Sequence, residues 1–154
     1  MPRLDTKPSK LLTYKEIIVT EKKEISLPSR IESVDEAAVE AERFVRSLGF
    51  GDELVSAVDL AVRESVANAV KHGNVFDENK KVDIAFINSP EQIEITVRDF
   101  GKGFDPDEIP DPTNPDNLLK ASGRGILFMR SFMDEVFWSK HNEGGMIVTM
   151  KKQH

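Results

Sequence analysis

The chain has 154 residues, 21 basic against 27 acidic side chains for a net charge of −6, 39% apolar residues and no cysteine. That length accommodates one domain with its own core, and a cysteine-free chain excludes disulfides, thiolate metal sites, iron–sulfur clusters and cysteine nucleophiles. The acidic balance argues against non-specific binding to nucleic acid or anionic membranes, both of which need clustered cations.

His72, His141 and His154 stand far apart with no H-x-x-x-H pairing, which argues against a structural zinc site. No run approaches the roughly 18 to 20 apolar residues of a membrane span, and the first ten residues lack the apolar core of a signal peptide. The expectation is a cytoplasmic protein without membrane association.

In chain order, residues 1–12 carry two prolines and scattered charge and read as a flexible lead-in to a single domain over 13–154. Two short β-branched runs, Glu16 to Thr20 and Glu24 to Leu27, read as extended. Val34, Ala37, Ala38, Ala41, Phe44, Val45 and Leu48 recur at three and four and predict a helix from Ser33 to Leu48. Ser33 and Glu36 have the spacing of a capping box, and Gly49 is placed to end the helix. A second helix is predicted from about Asp52 to His72, on an apolar stripe of Leu54, Val55, Val58, Val62, Val66 and Ala69, with Gly73 and Asn74 as its stop.

Val82 to Ile87 and Gln92 to Asp99 read as strands joined by an Asn88-Ser89-Pro90 turn. From Asp105 to Ser122 four prolines accompany Asp, Asn and Ser, and so long a segment without regular structure inside a domain is usually functional, often a lid. A short helix from about Gly125 to Phe132 precedes strands near Val136 to Ser139 and Met146 to Lys151. This order predicts an α+β fold, a two-layer sandwich of a mixed, mainly antiparallel sheet with helices on one face.

Three clusters carry chemistry. On the second helix, Glu64, Asn68 and Lys71 fall within roughly 60° of one another at 100° per residue. A carboxylate can deprotonate a nucleophile, an amide oxygen suits Mg²⁺, and an ammonium can meet phosphate. Taken alone, the trio is more readily an ordinary solvated helix face. Arg98-Asp99-Phe100-Gly101-Lys102-Gly103 ends an apolar strand in a carboxylate able to accept from an exocyclic amine, with glycines that let a ligand approach, although a tight turn has the same composition. Ser122-Gly123-Arg124-Gly125 opens a helix whose backbone N–H groups can meet an anion, or forms a plain junction. It is neither a Walker A loop nor a dinucleotide-binding fingerprint.

Together and in this order, AVRESVANAVKHGN, VRDFGKGFDP and GRGILFMRSFMDEV resemble the N, G1 and G2 boxes of the GHKL ATPase superfamily, with its Bergerat or histidine kinase-like fold. They are most similar to the bacterial anti-sigma factor serine kinases, and the likeness runs from about Glu24 to Lys151. The resemblance implies that Asn68 ligates the Mg²⁺ bridging the phosphates of ATP, and that Glu64 is general base toward a substrate serine. It implies that Asp99 binds the adenine amino group, with Gly101 and Gly103 shaping the pocket, and that residues 105–122 are the ATP lid. Gly123 and Gly125 would offer backbone donors to the phosphates, with Lys71, His72 and Arg124 as further phosphate contacts.

The family's last strand usually begins Gly-Thr-Thr, its first threonine helping to seat the adenine; here Gly145-Met146-Ile147 stands there. Either water or another side chain replaces that hydroxyl, or adenine affinity is reduced. The implied activity is MgATP-dependent phosphorylation of a serine on an anti-anti-sigma protein by a dimeric factor that sequesters a sigma factor. A catalytically silent, ATP-gated binding module of the same fold is the alternative.

Overall fold

The computed structural model describes residues 20–103 and 121–154. The expected lead-in, most of the strand over 16–20 and lid residues 105–120 lie outside the described residues. In order come β1 (Glu21–Pro28), α1 (Glu32–Ser47), α2 (Asp52–Asn68), a π-helical turn (Ala69–Gly73), β2 (Lys81–Asn88), β3 (Gln92–Arg98), α3 (Ala121–Phe132), β4 (Glu135–Lys140) and β5 (Met146–Gln153).

The five strands form one sheet in the order β1-β2-β3-β5-β4. Every neighbouring pair is antiparallel, so the sheet is uniform where a mixed one was expected. Its register aligns Ile25, Ile84, Val97, Val148 and Trp138 across all five strands. This row faces the helices, where Ile84 and Val97 meet Ala41, Val45, Val58, Val62, Val66 and Met129 in one core. The alternation of the strands leaves Glu24, Ser26, Asp83, Thr96 and Arg98 on the opposite face. No described helix is long and apolar enough to cross a membrane.

α1 ends as its sequence predicts. Gly49 adopts φ 88, and the Gly49 and Phe50 amides donate back to Arg46 and Val45 carbonyls at 3.0 and 3.4 Å, a Schellman closure. Its start differs. The helix begins at Glu32, the cap is Ile31, and no side chain caps it. Ser33 therefore lies inside the first turn, too late to be the cap, and its buried hydroxyl donates instead to the Pro28 carbonyl at 2.6 Å, tying α1 to the end of β1.

The larger departure lies at the end of α2. A single α-helix to His72 was expected, but from Ala69 to Gly73 the winding widens to a π turn closed by the Asn74 amide on the Ala69 carbonyl at 2.8 Å. Asn74 is buried, and its side chain explains the change: Nδ2 donates to the Lys81 carbonyl at 2.9 Å and Oδ1 accepts from the Phe100 amide at 2.8 Å. One buried amide thus joins the helix exit to β2 and to the end of β3. Such turns recur at functional sites.

Directly after it Val75 and Phe76 hold φ values of 52 and 58 while 70% and 57% exposed. A β-branched residue in this region carries about 1–2 kcal/mol of steric strain that asparagine largely avoids. Val75→Asn is therefore expected to stabilise the protein by about 1 kcal/mol, raising the thermal midpoint by about 4 °C. A lower midpoint in a melting experiment would show the backbone there to be relaxed.

Candidate functional site

Glu64 and Asn68 stand one turn apart at the end of α2, both half-buried. The beginning of α3 crosses over them so closely that a β-carbon on Gly125 would lie 2.5 Å from Glu64 Oε2 and 3.9 Å from Asn68 Nδ2. Glycine at 125 leaves the carboxylate the space that any other side chain would fill. α3 starts at Ala121, four residues before the expected Gly125, so Gly123 and Arg124 fall in its first turn. The surroundings of the Arg124 side chain lie outside the described residues.

Asp99 follows β3 and is 6% exposed. Its Oδ1 accepts the Gly101 amide at 3.0 Å and the Met146 amide at 3.3 Å, and its own amide donates to the Met146 carbonyl at 3.0 Å. Oδ2 points the other way, over the π turn, where a β-carbon on Gly73 would lie 2.3 Å from it. Gly101 fits by the same economy of space, since its β-carbon would stand 1.8 Å from the Gly73 carbonyl oxygen. Burial pushes the Asp99 carboxyl above the usual aspartate range; the amides of Gly101 and Met146, and the charges of Lys80 and Arg98, pull the other way.

The three sequence clusters thus converge at two places, Glu64 and Asn68 beneath Gly125, and Gly73 against Asp99. Gly103, with φ 78, lies where a β-carbon would be 3.4 Å from Met146 Sδ. Met146 itself is buried, and its contribution to Asp99 is made by the backbone, which needs no hydroxyl. Lys71 and His72 are exposed on the π turn, and among the described residues neither side chain takes part in a hydrogen bond or an ion pair.

Two positions that shape this region escaped the sequence reading. Asn74 was read as a helix stop and is a buried clamp. Gly145, named above only at the head of the last strand, has φ 85, and its β-carbon would stand 1.9 Å from the Asp99 carbonyl oxygen. Its sequence signals are its place in the Gly144-Gly145 pair and at the head of the Gly145-Met146-Ile147 stretch.

Among the described residues no group of three or more His, Asp or Glu side chains is arranged to hold a metal ion. One amide oxygen and one nearby carboxylate form the sparse donor set that suits Mg²⁺ carried by phosphates and retaining water. Asn68 fits that use.

The model of the histidine kinase-like ATPase domain family matches residues 27–152. A serine-protein kinase RsbW of Oceanobacillus iheyensis is 28% identical over 135 residues, covering 84% of this chain and 84% of the relative. An anti-sigma F factor of Geobacillus stearothermophilus is 33% identical over 134 residues, covering 84% and 90%. Among solved structures, a chain of the SiaB–SiaC complex from Pseudomonas aeruginosa shares the fold, with TM-score 0.62, 12% identity and 95% of each chain covered.

Proposed function

The chain belongs to the histidine kinase-like ATPase domain family, and on that premise we propose that it is an anti-sigma factor that phosphorylates a serine of an anti-anti-sigma protein with MgATP. The observation that carries this reading is the convergence of Glu64 and Asn68 beneath Gly125, a base and a hard neutral ligand beside the start of a helix. The relatives named serine-protein kinase and anti-sigma F factor support the two halves of the proposal.

In this reading Asp99 Oδ2 accepts the exocyclic amine of adenine, and Gly73 and Gly101 keep side chains out of its way. Asn68 holds the Mg²⁺, which neutralises phosphate charge when bound. Backbone amides in the first turn of α3, Gly123 among them, meet the phosphates, with Lys71, His72 and Arg124 as the cationic contacts. Glu64 takes the serine proton as the serine oxygen bonds to the γ-phosphorus and the bond to the β–γ bridging oxygen breaks, releasing ADP. The protein works in the cytoplasm as a homodimer, holding its sigma factor until the unphosphorylated antagonist displaces it.

The test is to incubate the purified protein and MgATP with each anti-anti-sigma protein of the source organism, singly, and to map phosphoserine by mass spectrometry. One modified serine is expected; ATP binding with no phosphorylated partner would select the catalytically silent module instead.

Acidification supplies a further check. Because burial raises the Asp99 carboxyl, its ionised form costs the folded state at neutral pH, and that cost disappears as the pH falls through the raised value. The adenine amine needs the ionised form, so ATP affinity is expected to fall on acidification, beginning above the ordinary aspartate value of about 3.9. Calorimetric titration of the wild type against Asp99→Asn, whose profile lacks this transition, measures it; coincident profiles would remove Asp99 from adenine binding.

A further inference from the structure

Asn74 is 2% exposed, and its amide accepts from the Phe100 N–H at 2.8 Å and donates to the Lys81 carbonyl at 2.9 Å. Among the described residues, the bond to Phe100 is the one hydrogen bond that joins Ala69–Asn74 to Arg98–Gly101. The Phe100 N–H belongs to the same peptide group as the Asp99 carbonyl, whose oxygen lies 1.9 Å from where a β-carbon on Gly145 would stand. That peptide group is therefore held on both sides, which fixes the backbone from which the Asp99 side chain leaves. On the other side of the contact, Gly73 immediately precedes Asn74, and a β-carbon on Gly73 would lie 2.3 Å from Asp99 Oδ2. Asn74 thus sets both halves of one contact, the backbone that faces Oδ2 and the backbone that carries it. Next to it, exposed Val75 and Phe76 hold φ values of 52 and 58, while the Phe76 amide closes on the Val70 carbonyl at 2.8 Å. Backbone strain of this kind persists where the surrounding contacts over-determine a geometry, and it clusters at ligand sites.

We propose that Asn74 is a positioning residue for base recognition, holding the π turn against the end of β3 so that Asp99 Oδ2 meets the exocyclic amine of the nucleotide. The inference rests on the adenine contact assigned to Asp99 above. The oxygen and the nitrogen of the Asn74 side chain are both engaged with backbone, so it acts through Asp99 and not on the nucleotide itself. A residue that only supported the fold would change stability without changing which base is preferred.

The test titrates wild type, N74A, N74S, D99N and N74A/D99N calorimetrically with MgATP and with the magnesium salt of inosine triphosphate (ITP), and records each melting temperature. ITP has a carbonyl oxygen where adenine has its amine and shares the triphosphate, so the ratio of the two affinities isolates the base contact. N74A is expected to weaken ATP binding about fivefold or more and to move the ratio toward ITP by a similar factor, because the charge-assisted bond from Asp99 is misdirected. Serine, too short to span both backbone partners, is expected to act in the same direction. In the D99N background the contact is an amide donating to the ITP carbonyl, so adding N74A is expected to move the ratio the opposite way, away from ITP. That reversal of sign marks two coupled positions, whereas independent effects would add. An unchanged ratio in N74A and N74S, with only the melting temperature lowered, would make Asn74 purely structural and overturn the proposal. A shift of the same sign and size in both backgrounds would show that Asn74 does not act through Asp99, and would overturn it too. If neither N74A nor N74S folds, Asn74 belongs to the stability of the fold and the proposal falls. In all three cases a shifted ratio in D99N leaves the adenine contact of Asp99 standing. If D99N itself keeps the wild-type ratio, or the wild type binds neither nucleotide, the contact falls and the proposal with it.

Discussion

Glu64→Gln is expected to bind ATP with the affinity of the wild type and to transfer phosphate to the protein substrate about 10²–10⁴ times more slowly, the usual contribution of a positioned base. Glutamine is the informative replacement because Oε2 lies close under α3, 2.5 Å from where a β-carbon on Gly125 would stand. The amide keeps that shape and removes only the basicity. Alanine would leave a gap beneath α3 and mix a packing change into the rate. Single-turnover transfer to the protein substrate, with ATP affinity measured separately, distinguishes the outcomes, and transfer at the wild-type rate would dismiss Glu64 as the base.

Asp99→Asn is expected to weaken ATP binding about 10- to 150-fold, the effect of losing a charge-assisted hydrogen bond of about 1.5–3 kcal/mol. The amide oxygen can still accept from Gly101 and Met146, so the local backbone stays anchored. What changes is the outward group, now an amide nitrogen that donates where the adenine amine also donates. A base with a carbonyl at that position, as in inosine triphosphate, meets the new donor favourably, so the ATP-to-ITP preference is expected to move toward ITP by about tenfold or more. Because the fold already disfavours a charge at this buried position, the neutral variant is expected to melt at or above the wild-type temperature at neutral pH. A lower melting temperature accompanying the lost affinity would identify Asp99 as structural support rather than as the base contact.

What could be read from the sequence was what repeats or what is local. The three-and-four spacing from Val34 to Leu48 specified α1 and its Gly49 stop, and the alternation of Ile93, Ile95 and Val97 specified the buried face of β3. Glu64, Asn68 and Asp99 were singled out because each lies in a short stretch with chemistry of its own, and the fold sets Glu64 and Asn68 beneath Gly125 and Asp99 against Gly73. Ser33 was misread because a serine three residues before a glutamate describes a cap only if the helix starts there, and Ile31 took that place instead. The π turn was invisible because its cause is remote: Asn74 is held by Lys81 on one strand and Phe100 beyond another. The tight fits of Gly73 on Asp99 and Gly145 on its carbonyl are likewise contacts between segments that no local pattern records.

The placement of β5 between β3 and β4 governs the order in which the protein can be made. During synthesis β3 emerges with one side unpaired, and its missing neighbour is β5, the last of the described strands. Asp99 obtains its Met146 partner across a separation of 47 residues, so the carboxylate gains this hydrogen bond only after β5 has left the ribosome and closed the sheet. Long-range closure of this kind is slow compared with helix formation. A nascent chain can therefore hold α1 and α2 in place before the Asp99 carboxylate has its Met146 partner, so this buried pocket is completed only when β5 closes the sheet.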